Sequence, residues 1–155
     1  MEKFTRILFP VSLTEMSPIV APYVTSMAEK YTAELHMVHV VRKMNFYADS
    51  FISQPSETDI KRHVSNFEQE RLAMAEKQLA AFNEKHIPEQ PGIPGTQLHV
   101  ASGTHYKVIL EYVEEHNIDL IIMGSGRNIQ TKLFGSVANK VTKLADCPVM
   151  VIKIK

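Results

Sequence analysis

Asp119-Leu120-Ile121-Ile122-Met123-Gly124-Ser125-Gly126, followed eight residues later by Gly135-Ser136-Val137-Ala138-Asn139-Lys140-Val141, is the stretch that decides the fold. Leu120 to Met123 is a short apolar run without alternation, which predicts a strand buried on both faces, as in a parallel sheet. Gly124, Ser125 and Gly126 are expected to break that strand. Val137, Val141 and Leu144 then recur at helical spacing, and Ser136 is placed to cap the helix they define. Strand, glycine loop and helix N-terminus together form an anion cradle. Glycine lets backbone approach a phosphate, and the free N–H groups of the first helical turn point at it.

Working outward, the same alternation repeats. Phe4 to Val11 predicts a first buried strand centred on Ile7, Leu8 and Phe9, ended by Pro10-Val11-Ser12. Ser17-Pro18 reads as a helix cap followed by proline at the first helical position, and Val20, Val24, Met27, Ala28 and Tyr31 share one face of that helix. Leu35 to Val41 is the second strand, so the unit is a right-handed βαβ crossover. Arg42 to Pro55, with Phe46, Tyr47 and Phe51, reads as a connector with locally packed aromatics, a lid being the other reading. Glu57 to Glu84 predicts a long surface helix with Ile60, Val64, Phe67, Leu72, Ala75, Leu79 and Phe82 as its apolar stripe. Pro88, Pro91-Gly92 and Pro94-Gly95 make a turn-rich break. Gln97 to Ala101 is the third strand, and Thr104 is placed to cap a helix over Ile109, Tyr112, Val113 and His116. After Cys147-Pro148, Val149 to Ile154 is a last strand, with Val149 and Val151 on one face and Met150, Ile152 and Ile154 on the other. Alternating strands and helices imply one domain, residues 1–155. It is an α/β, Rossmann-like three-layer sandwich, a five-stranded parallel sheet with helices on both faces.

These motifs resemble the universal stress protein family over nearly the whole chain. Ile7-Leu8-Phe9-Pro10-Val11, Glu34-Leu35-His36-Met37-Val38-His39-Val40, Met123-Gly124, Gly135-Ser136 and Cys147-Pro148-Val149 all match its pattern. Two features depart from it. Ser12 stands where members that hold ATP carry an aspartate, and the loop between Gly124 and Gly135 is two residues short. The resemblance implies strand order 3-2-1-4-5 and a small stress-response regulatory module. It implies ATP or a related adenine nucleotide at the carboxyl ends of the strands, beside the point where strand order reverses. Carried over position by position, the nucleotide-binding residues are Pro10, Val11, Ser12, Val40, Met123, Gly124, Gly126, Arg127, Gly135, Ser136 and Val137. Arg127 and Lys132 are expected to supply positive charge in the shortened loop. The resemblance also implies a homodimer through the last strand, with Val149, Met150, Val151 and Ile152 at the interface. The alternative is a nucleotide-free dimeric interaction protein of the same fold, acting on a protein client, its ATP site lost through Ser12 and the short loop.

Composition excludes other classes. Lysine plus arginine equals aspartate plus glutamate, for a net charge of zero, which points away from a nucleic-acid partner. One cysteine precludes an intrachain disulfide framework and suits a reducing compartment. The apolar runs are too short to span a membrane, and the start Met1-Glu2-Lys3-Phe4 leads straight into a strand, so a cytoplasmic location is expected. No structural metal is expected. His36 and His39 alternate to opposite faces of one strand, a poor geometry for a shared ion, and His99 and His105 are placed to approach each other at the third strand's end. Cys147 is expected to be buried and inert. Glu111, Glu114 and Glu115 read as a solvated helix face. No catalytic constellation can be assembled, which leaves slow ATP hydrolysis as the most enzymatic reading.

Overall fold

Ile7, Leu8 and Phe9 are at most 1% exposed because their strand lies at the centre of a sheet covered on both faces. A computed structural model describes residues 3–14, 16–43, 57–125 and 135–154, the side chains of 57–61 excepted. The described elements run β1 (Arg6–Pro10), α1 (Ser17–Tyr31), β2 (Glu34–Val41), α2 (Glu57–His86), β3 (Gln97–Ser102), α3 (His105–Glu115), β4 (Leu120–Ser125), α4 (Ser136–Leu144) and β5 (Val149–Lys153). The strands form one sheet of order β3-β2-β1-β4-β5, every pairing parallel. This is the α/β three-layer fold expected.

Strand side chains alternate between two cores. Ile7, Phe9, Leu35, Met37, Leu120 and Ile122 face α1 and α2, meeting Val20, Val24, Ala28, Leu79 and Phe82. Leu8, Val38, Val40, Ile121 and Met123 face α3 and α4, meeting Ile109, Tyr112, Ala138 and Val141. The two sides of β5 divide as the sequence implies, Val149 and Val151 to one core and Met150, Ile152 and Ile154 to the other. In α2 the packed part of the stripe is its second half: Ala75, Leu79 and Phe82 are buried, whereas Phe67 is 40% exposed. Residues 44–55 of the expected connector lie outside the described residues.

Some local expectations are corrected. β4 does not break at Gly124; it continues through Gly124 and Ser125, paired with Ile152 and Lys153 of β5. Ser17 and Ser136 are not caps. Each is the first residue of its helix, and the cap positions belong to Met16 and Gly135. Thr104 does occupy the cap of α3 but makes no side-chain cap bond. His99 and His105 do not pair: His99 packs on the Tyr112 ring at 5.3 Å, and His105 faces His39 and Arg42. Cys147 is only half-buried, though burial still pushes its thiol pKa up.

Beneath α3 lies a buried polar group. His36 donates from Nε2 to Glu34 Oε1 at 2.7 Å and accepts at Nδ1 from the Tyr112 hydroxyl at 2.6 Å. The Tyr112 ring in turn stacks on His116 at 3.8 Å. Burial lowers the His36 pKa below its ordinary 6.5, against the opposing hydrogen bond from Glu34. A base whose folded pKa is depressed takes up fewer protons folded than unfolded below that ordinary value. Its contribution to stability is therefore complete above pH 6.5 and declines as pH falls below it. The His36 ring signal in an NMR titration is expected to have its midpoint below 6.5; a midpoint at or above that value would contradict this account.

Candidate functional site

The ladder between β1 and β4 covers only Ile7–Leu120 and Leu8–Ile121, whereas β1 stays paired with β2 as far as Pro10–Val38. Strand order reverses at this same junction, since β1 leads outward through β2 on one side and β4 leads to β5 on the other. A cleft opens there at the carboxyl ends of the strands, the position ligands take in open parallel sheets. Its volume is about 280 Å³, near the lower end for small-molecule sites, roughly 300–1,000 Å³.

Every predicted binding residue that the structure describes lines this one cleft: Pro10, Val11, Ser12, Val40, Met123, Gly124, Gly135, Ser136 and Val137. Gly126, Arg127 and Lys132 lie outside the described residues. The lining also includes Met16, Ser17, Val20, His105, Ile109 and Ala138, which sequence reasoning did not assign to a binding site. A signal for two of them was available: Ser17 and His105 stand at the predicted helix starts.

Three helices begin at this cleft. Ser17, His105 and Ser136 are the first residues of α1, α3 and α4, and all three line it. None of these helices has a side-chain cap bond or an acidic residue in its first turn. The partial positive charge of each N-terminus is therefore not offset by a local carboxylate, which favours an anion. Lys140 lies 4.6 Å over the Tyr106 ring, a cation–π contact that ties the first turn of α3 to the second turn of α4.

The turn after β1 is held by hydroxyls. Ser12 N–H donates to Ser17 Oγ at 3.1 Å, and Ser12 Oγ is hydrogen-bonded to Thr14 Oγ1 at 2.8 Å and to Ser17 Oγ at 3.1 Å. Leu13 takes the left-handed conformation, with φ of 55°. His39 donates from Nδ1 to the Val11 carbonyl at 2.6 Å and fixes the turn from the neighbouring strand. Ser12 thus stands where an aspartate was expected and is engaged with its own loop. Burial first, then Arg42 and His39, lower the His105 pKa below the ordinary value, so the ring is neutral at pH 7.

Gly124 has a different job from the one its sequence context implied. A Cβ added there would meet Val20 Cγ2 at 2.9 Å and Ile154 Cδ1 at 3.3 Å. The residue is small so that α1 can close on β4 beneath the cleft floor. Among the described residues no group of three His, Cys, Asp or Glu side chains is placed to hold a metal, and no helix is long and apolar enough to cross a membrane.

The model of the universal stress protein family matches residues 3–153. The chain belongs to the universal stress protein family. It is 29% identical to universal stress protein A homolog 1 of Coxiella burnetii, over 98% of each chain. The structure of the universal stress protein UspA from Lactobacillus plantarum superimposes with a TM-score of 0.68 at 23% identity, covering 98% of this chain and 99% of the other. The universal stress protein of Archaeoglobus fulgidus, solved in complex with dAMP, aligns with a TM-score of 0.56 at 19% identity, over 98% and 100% of the two chains.

The packing at Gly124 is directly testable. Gly124→Ala is expected to lower unfolding free energy by about 1–3 kcal/mol, the usual range for overpacking a closed core. In a Val20→Ala background the penalty should largely vanish. Urea denaturation of the single and double variants measures both, and an undiminished penalty in the double variant would contradict the contact.

Proposed function

We propose that this universal stress protein is a cytoplasmic regulatory module that binds an adenine nucleotide, ATP or a close relative, in the strand-end cleft. One observation carries the reading: three helix N-termini, uncapped by side chains and free of acidic residues, begin at a cavity of small-ligand size. A phosphate group supplies the negative charge that those termini lack. Val38, Val40, Ile109 and Met123 offer an apolar wall for a base. Binding of dAMP by the Archaeoglobus fulgidus relative supports the choice of adenine among bases. Ser12 would meet a ribose hydroxyl as a neutral hydrogen-bonding group, since a hydroxyl can donate one bond and accept two. Among the described residues of the cleft no serine is hydrogen-bonded to a histidine or carboxylate, and we read the site as a sensor rather than a catalyst.

The protein purified natively, then denatured, is expected to release ATP, ADP or AMP detectable by mass spectrometry. Absence of any released nucleotide, together with no calorimetric heat from all three at millimolar concentration, would overturn the reading. Ser136→Asp separates binding from folding. A carboxylate at the first position of α4 interacts favourably with the helix end, by about 0.3–1 kcal/mol, yet repels a phosphate. Nucleotide affinity is expected to fall about tenfold or more while thermal stability holds or rises.

The same reading includes a homodimer through β5. Among the described residues β5 pairs with β4 alone, and Val149, Met150, Val151 and Ile152 are half-buried on its two faces. An apolar edge strand of this kind is normally covered. Val151→Glu is expected to convert a dimer to monomer in sedimentation velocity. A variant that sediments as the wild-type dimer would remove this interface from the proposal.

A further inference from the structure

The wall of the cleft is built from apolar residues, hydroxyls and glycines, and among its described residues His105 alone is ionisable. His105 is also the wall shared with a neighbouring cavity of about 430 Å³, whose lining carries Arg42, Lys43, Lys107 and a single carboxylate, Glu111. The residue is half-buried rather than sealed. Other histidines near α3 are engaged: His36 bonds Glu34 and Tyr112, His39 bonds the Val11 carbonyl, and His116 bonds the Tyr112 carbonyl. The ring nitrogens of His105 have no hydrogen-bond partner among the described residues.

Position decides what such a ring meets. His105 is the first residue of α3, so its backbone N–H is one of the first-turn donors without an intrahelical partner. Its side chain therefore stands beside any anion that this turn attracts. The charged and titratable groups around it are His39 of β2 and Arg42 just beyond that strand, Lys43, Lys107 and Glu111 of the shared cavity, and Lys140 of α4, held over the Tyr106 ring. Cations outnumber the one carboxylate in this set, which favours a neutral ring. A phosphate brings the opposite charge and favours the protonated ring.

We propose that His105 makes the cleft a coupled receptor for a proton and an anion: the ring takes up one proton as a nucleotide phosphate binds, and the resulting imidazolium donates to a phosphate oxygen. The inference rests on the nucleotide reading of the cleft and adds its regulation. The proton comes from solvent and returns there when the nucleotide leaves. In the free protein the His105 pKa lies below 6.5, and bound phosphate raises it. The contribution of His105 to affinity is therefore smallest above the bound-form pKa. It grows as pH falls through the interval between the two values and is constant below the free-form value. The coupling is reciprocal, so acidification loads the protein and alkalinisation unloads it.

The test uses the full chain, with AMP and ATP as probes. In an NMR titration the His105 ring signal is expected to have its midpoint below 6.5 in the free protein. Saturating nucleotide should move it up by about one unit or more, which corresponds to about tenfold tighter binding by the protonated form. Adenosine, which lacks the phosphate, should not raise it. A midpoint that nucleotide leaves in place or lowers would overturn the proposal, as would an equal rise with adenosine. His105→Asn keeps a polar side chain and removes the titration. The probes carry a phosphate proton of their own in this range, so the second readout is the difference between the two proteins. From about pH 8 to about pH 6, the gain in affinity of the wild type should exceed that of the variant by about threefold or more. Identical profiles would overturn the coupling. Nucleotide binding with an unmoved His105 midpoint removes the coupling alone, whereas failure of AMP, ADP and ATP to bind at any pH in this range removes the nucleotide reading as well.

Discussion

The structure depends on a single constraint, that β1 is buried on every side. Its apolar residues enter both cores, and its backbone is paired to β2 on one side and β4 on the other. A central parallel strand of this kind requires helices on both faces, and the crossovers supply them in pairs, α1 and α2 on one face and α3 and α4 on the other. The entry to the strand is pinned by Asp119, whose carboxylate accepts from Thr5 N–H at 2.9 Å, Thr5 Oγ1 at 2.8 Å and Arg6 N–H at 3.0 Å. With its entry held against the start of β4 and its exit paired only to β2, β1 opens a gap at its carboxyl end. The cleft is that gap.

Parallel strands give the domain an electrical direction. Each helix starts at the carboxyl end of the strand before it and returns toward the amino ends, so helix N-termini gather at one edge and C-termini at the other. The cleft lies at the N-terminal gathering, where three first turns lack carboxylates.

Much of this was legible in the chain. The unbroken apolar runs at Ile7–Phe9 and Leu120–Met123, set among periodic segments, carried the parallel sheet, because a strand covered on both faces needs no polar face. The glycine–serine pair before Val137 marked the start of α4 and with it one wall of the cleft. Errors fell where a local signal competed with a tertiary one. Ser17 and Ser136 looked like caps by residue type, but the chain geometry places each one residue inside its helix. There Ser17 bonds the turn after β1 instead. Gly124 looked like a loop residue, yet it is a strand residue kept small by Val20. His105 carried no motif, since its importance comes only from the neighbours the fold assigns to it.

The sequence by itself determined the layers, the parallel sheet and the identity of most of the cleft lining. The layers and the sheet follow from hydrophobic period and turn chemistry, which act between residues near one another in the chain, and the cleft residues follow from the resemblance to the family. Only the tertiary structure decided that the first turns of α1, α3 and α4 share one cavity. Such facts join residues from separate crossovers, and no short-range pattern encodes how helices returning from different strands converge.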